Sequence, residues 1–178
     1  MSSEPVAPAP DDKDWTWVLN RPCPECGFDA SVPDRSELAA LTRANVTALQ
    51  STVTARGGTR RPQPAVWSAL EYGCHVRDVC VVFGTRLKLM RGSDNPTFAN
   101  WDQDDTALTE QYWTQDPPTV AAELAVEGER MAAAFDTVTI DEWARPGSRS
   151  NGSVFTVETL GRYFLHDLRH HLHDVCGE

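Results

Sequence analysis

The sequence predicts an all-α fold, an antiparallel four-helix bundle of the kind built from long amphipathic helices, with an irregular N-terminal extension. Four long stretches carry apolar residues at three- and four-residue spacing, each opened by a residue that favours a helix start. Strand-like alternation is weak everywhere. A chain of 178 residues with 40% hydrophobic content suits one domain with one core.

Residues 1–14 (MSSEPVAPAPDDKD) are polar, acidic and Pro-rich and read as a disordered tail. Residues 15–33 form an irregular segment: Trp15 and Trp17 can anchor it to the body, and Arg21-Pro22-Cys23-Pro24-Glu25-Cys26-Gly27 is too dense in Pro and Gly for a helix. The bundle then occupies residues 34–178. Asp34 or Ser36 can cap a first helix starting near Arg35, with Glu37 in its first turn and Gly57-Gly58 as its stop. A second helix is expected from Pro64 to Arg91, ended by Gly92. At 100° per residue its Tyr72, His75, Val76, Val79, Val82, Phe83 and Met90 share one broad face, so His75 points among apolar neighbours. Residues 93–115 read as a long connection with one short helical piece at Asp104–Trp113. Asp116-Pro117-Pro118-Thr119 is a strong start signal for the next helix, which runs through Val120, Leu124, Met131 and Phe135. Residues 139–154 are turn-rich. The last helix begins at Thr156, with Glu158 early, and reaches about Cys176.

Charge narrows the partners. Sixteen Lys and Arg against 26 Asp and Glu give a net charge of −10, which repels nucleic acid and anionic membranes. No apolar run is long enough to span a bilayer, and the polar start lacks the character of a secretory signal or an Arg-rich transit peptide. Five cysteines, odd in number, do not form a disulfide framework, so a reducing cytoplasmic location is expected.

The histidines carry the chemistry. Of five, His75 stands on the second helix and the other four crowd into His166-Asp167-Leu168-Arg169-His170-His171-Leu172-His173-Asp174. His166 and His170, four apart, leave one helix face a turn apart and can chelate one metal ion. With His75 from another helix they make a candidate triad for one divalent ion per chain. His173 and Asp174 lie one turn beyond His170 and can orient a ligand, while His171 points about 100° away. Each histidine also has a plainer reading, as a hydrogen-bonded core residue or a solvated helix end. The apolar stripe Leu160, Phe164, Leu168 and Val175 lies roughly opposite His166 and His170, so the metal triad requires the last helix to bury two faces. A homodimer would supply the second cover. In the alternative the stripe fills the core, the histidines look outward, and neither metal site nor dimer is needed.

Cys23-x-x-Cys26 has zinc-knuckle spacing without a second cysteine pair. It can be half of a small structural zinc site, a redox pair or a loop clip. Cys74 and Cys80 read as packing residues, and Cys176 can approach the site. Arg145 and Arg149, in a flexible loop before the histidine helix, offer local positive charge for a substrate or co-substrate carboxylate; a solvated turn is the other reading. Trp101, Trp113 and Trp143 can line a pocket mouth or cover the bundle ends.

With Trp67-Ser68-Ala69-Leu70-Glu71-Tyr72-Gly73-Cys74-His75-Val76-Arg77-Asp78-Val79 and the late His166-x-x-x-His170, the chain resembles the DinB/YfiT-like metalloenzymes and their thiol-dependent S-transferase relatives, including mycothiol-dependent maleylpyruvate isomerase. The resemblance covers about residues 35–176. It implies one divalent metal held by a histidine of the second helix and an H-x-x-x-H or E-x-x-x-H pair of the last, here His75, His166 and His170. Three protein ligands leave open positions, the arrangement of a catalytic site. By the resemblance the co-substrate is a low-molecular-weight thiol, deprotonated at the metal, that attacks a small electrophile. A composition rich in Ala, Arg and Asp with two Lys favours mycothiol among such thiols. Zinc suits thiolate chemistry, and nickel, iron or cobalt would also accept imidazoles. A second reading has the metal activate water for hydrolysis, with Asp78, Glu71 or His173 as base. A third is a non-catalytic, metal-binding helical protein.

Overall fold

The computed structural model describes residues 6, 8 and 14–177; the tail expected over 1–14 lies outside the described residues except at those positions. Four long helices form the bundle: α1 (Leu38–Val53), α2 (Ala69–Gly92), α4 (Pro117–Asp136) and α5 (Val157–Cys176). A short α3 (Gln103–Thr109) and a 3-10 turn (Tyr112–Thr114) lie in the connection before α4. Both α1 and α2 pack against α4 and against α5. Leu38, Leu49, Val76, Leu87, Leu124 and Phe164 fill the centre, each nearly or wholly buried.

The caps explain the boundaries. Asp34 accepts from Ser36 N while Glu37 reaches back to Asp34 N, so a 3-10 turn (Arg35–Glu37) leads into α1. α2 begins at Ala69, not at Pro64. Its cap is Ser68, whose Oγ accepts from Glu71 N while Glu71 Oε2 accepts from Ser68 N at 2.8 Å. Glu71 is buried and its carboxylate takes Arg61 Nε at 2.9 Å, so it is committed to structure rather than to proton transfer. Asp116 caps α4 as its sequence predicts. Where α5 crosses α1, Gly161 lets the helices close: a Cβ there would stand 2.7 Å from Leu38 Cδ1.

The turn-rich segment before α5 forms strands that were not expected. β2 (Pro146–Arg149) pairs antiparallel with β3 (Val154–Thr156) and parallel with β1 (Thr97–Phe98). Strands of two to four residues are too short for alternation to register in the sequence. Thr156 ends β3 and caps α5 by accepting from Thr159 N at 3.1 Å, so the hairpin fixes where α5 starts.

α5 does bury two faces. Leu160, Phe164 and Leu168 lie in the core, while His166 and His170 are 3% and 8% exposed on another side. The cover over those histidines comes from the same chain. A 3-10 turn at Trp15–Leu19 and the loop after it lie across α5, and Arg162 donates to Ala30 O at 2.7 Å. The homodimer expectation therefore loses the exposed apolar face from which it was drawn.

Candidate metal centre

Residues 166 and 170 lie on one line along α5; residues 167 and 171 lie on another, 100° round the axis. The second line faces α2. There His75 is fully buried between aromatic rings, stacked on Trp101 at 5.5 Å with 11° between planes and tilted on Trp67 at 5.4 Å. Its ring meets that of His171 edge-on at 4.6 Å. His75 Nε2 is 3.5 Å from Asp167 Oδ1, and His171 Nε2 is 3.4 Å from the same oxygen. A tetrahedral set at zinc–ligand lengths near 2.05 Å has edges of about 3.3 Å. The three donors fit one ion.

The polar accounting agrees. Both ring nitrogens of His75 and Asp167 Oδ1 are buried with no hydrogen-bond partner among the described residues, a costly arrangement unless something satisfies them. His171 Nδ1 lies 3.1 Å from Asp174 Oδ2, a carboxylate contact on the side of the ring away from Nε2, which faces Asp167. Burial holds the His75 pKa below the usual imidazole range, against the pull of Asp167. For Asp167, burial raises the pKa, but His171 and His75 beside it prevail and bring it to about 2. At neutral pH His75 is thus uncharged and Asp167 ionised, the forms that ligate metal.

The expected triad of His75, His166 and His170 is not brought together. His75 joins Asp167 and His171, whereas His166 and His170 turn to Cys23 and Cys26. The physical reason is rotation: one residue along the helix moves a side chain 100°, and the line facing α2 is 167/171. The signal was present, since Asp167-x-x-x-His171 is an acid-x-x-x-His pair one position on. A pocket of about 60 Å³ lies between the two groups, walled by Trp15, Gln103 and five residues of α5: Tyr163, His166, Asp167, His170 and His171. A larger groove of about 630 Å³ between α2 and α4 contains Cys80 but no histidine.

Other expected residues are occupied elsewhere. Asp78 accepts from Arg77 Nε at 2.8 Å and from Tyr112 Oη at 2.5 Å, which ties α2 to the turn before α4. His173 is half-buried and belongs to neither ligand group, and its carbonyl accepts from Gly177 N. Arg145 donates to Met90 O and Ser93 O, capping α2, and Arg149 donates to Asn151 and Ser153 within the hairpin. Neither arginine lies among the pocket walls. Cys74 and Cys80 are buried packing residues, and Cys176 is exposed at the end of α5.

No curated protein matches the chain in sequence. Among solved structures it is similar to YfiT from Bacillus subtilis, described as "a probable metal-dependent hydrolase with an unusual four-helix bundle topology". The identity is 20%, the match covers 80% of this chain and 84% of that one, and the TM-score is 0.71. The sequence profile of the DinB superfamily matches residues 38–175, from the first residue of α1 to the last turn of α5, and so includes His75, Asp167 and His171. Matched over most of its length, the chain belongs to the DinB superfamily.

Proposed function

We propose that this protein is a metal-dependent hydrolase of a small molecule, with one divalent ion held by His75, Asp167 and His171. The observation that carries the reading is the convergence of His75 Nε2, Asp167 Oδ1 and His171 Nε2, two of them buried and otherwise unpartnered. Two imidazoles and one carboxylate form a donor set that suits zinc and the other first-row divalent ions, and three protein ligands leave room for an exogenous one. An ion bound there would lower the pKa of a water ligand toward neutrality and supply a nucleophile.

The chain's own residues do the rest. Asp174 orients His171, the Trp101 and Trp67 rings keep bulk water from His75, and Trp15, Gln103 and Tyr163 shape the entrance. The small pocket suits a water-sized ligand beside a compact substrate. The thiol S-transferase reading uses the same ion, but Arg145 and Arg149, which were to dock the thiol's carboxylates, are engaged in the hairpin and at the end of α2. The description of YfiT as a hydrolase points the same way.

The test is one assay with two arms, on protein purified without a histidine tag and loaded with zinc, manganese, nickel, cobalt or iron in turn. One arm offers small esters and amides in water; the other offers an electrophile with mycothiol, bacillithiol or glutathione. Metal-dependent hydrolysis lost in Asp167→Asn supports the proposal. Turnover that requires a thiol would replace it with the transferase reading.

A further inference from the structure

We infer that the chain holds a second, structural metal ion, a zinc bound by Cys23, Cys26, His166 and His170, which clamps residues 15–28 across α5. Its donors are distinct from those of the centre proposed for catalysis. The structural centre includes the N-terminal segment that precedes the superfamily match, which begins at Leu38.

Geometry carries the inference. One donor atom from each of the four side chains lies within 4.8 Å of the other three. Cys23 Sγ stands 3.7 Å from His170 Nδ1. With zinc–sulfur near 2.3 Å and zinc–nitrogen near 2.05 Å, a tetrahedral S–N edge is about 3.6 Å. The loop is built to present both sulfurs: Gly27 N donates to Cys23 O at 2.8 Å, and the chain reverses at Gly27 with φ +70°. Cys23 N then donates to Phe28 O at 2.8 Å, closing the turn.

A second observation points to a ligand. His166 is 3% exposed, and its Nε2 is buried without a partner among the described residues. Trp15 and Phe28 cover its ring, at 5.6 Å and 5.8 Å. His170 is oriented from behind: its Nε2 lies 3.5 Å from Glu25 Oε2 and 3.9 Å from Asp174 Oδ2. Carboxylates at that nitrogen leave Nδ1 free as the donor toward Cys23. Glu25 lies between the two cysteines, so one loop supplies two ligands and the group that orients a third.

A closed set of two thiolates and two imidazoles leaves no position for substrate, which is the mark of a structural site. Binding displaces the two thiol protons to solvent and joins the loop to α5. The consequence reaches the other centre, because Trp15 lies over His170 at 4.9 Å and forms part of the pocket beside Asp167 and His171.

The test uses full-length, untagged protein loaded with cobalt(II) as the probe. The expected result is two cobalt ions per chain, with intense tetrahedral visible bands and a near-ultraviolet thiolate-to-cobalt charge-transfer band. Cys26→Ser should lose one ion and the charge-transfer band. His75→Ala should lose the other ion and keep the band. In wild-type zinc protein, two thiols should be shielded from a disulfide reagent until a chelator is added, a readout that needs no variant to fold. A cobalt protein without the charge-transfer band, or with a band that survives Cys26→Ser, overturns the inference, as does equal thiol reactivity with and without zinc. If His75→Ala changes no metal content while the thiolate band is present, the catalytic proposal fails and the structural site stands.

Discussion

His170 and His171 are consecutive in α5, yet their rings stand at 80° to each other with centroids 5.8 Å apart and face different donor sets. The same holds one turn earlier, where His166 faces the cysteine loop and Asp167 faces His75. One helix thus presents two pairs of candidate metal donors at the same four-residue spacing, offset by one residue. Its third face, with Leu160, Phe164 and Leu168, fills the core.

Asp167→Asn preserves shape and removes the charge that His75 and His171 share. Metal affinity at that centre is expected to fall by more than the ~10–100-fold typical of losing an outer-shell partner, with the helical circular dichroism retained. Competitive titration with a chromophoric chelator measures this, and unchanged affinity would remove Asp167 from the ligand set.

Asp174→Ala separates the two centres by degree. Asp174 is 3.1 Å from His171 Nδ1 but 3.9 Å from His170 Nε2, where Glu25 is closer. The His75 centre should weaken by about 10–100-fold, and the cysteine centre by less, as read from the two steps of a cobalt titration.

How much of this was legible follows from the length of each signal. Asp116-Pro117 and Asp34 with Glu37 announced their helix starts through local chemistry: α4 begins at Pro117, and the 3-10 turn that Asp34 caps leads into α1. Pro64 misled because a proline opens a loop as readily as a helix, whereas Ser68 with Glu71 formed the actual capping box. The hairpin of β2 and β3 was missed because its strands are minimal, and the pairing of β2 with β1 is non-local. At the site, the histidine crowding was visible but its rotation was not. Periodicity defines the faces of α5, and only tertiary packing decides which face meets α2. The Cys23 loop lies more than a hundred residues from His166, too far for spacing to reveal the pair.

Ser68→Ala removes the cap of the helix that carries His75. A loss of about 1–2 kcal/mol is expected from the cap, and denaturant unfolding monitored by circular dichroism measures it. A loss near zero would mean that Glu71 and Arg61 hold the start of α2 without Ser68.

Gly161→Ala tests the contact between α5 and α1. Alanine favours a helix by about 1 kcal/mol over glycine, but the added methyl would press on Leu38 and Phe135, both buried. Overpacking of about 1–3 kcal/mol should prevail, giving a lower melting temperature. A higher melting temperature would show that the two helices have room to separate.

The most direct test of the central claim is a crystal of metal-loaded protein with anomalous diffraction recorded at the metal's absorption edge. One anomalous peak should lie among His75 Nε2, Asp167 Oδ1 and His171 Nε2, and a second among Cys23, Cys26, His166 and His170. A single peak shared by His75, His166 and His170, with Asp167 and His171 turned away, would contradict the account.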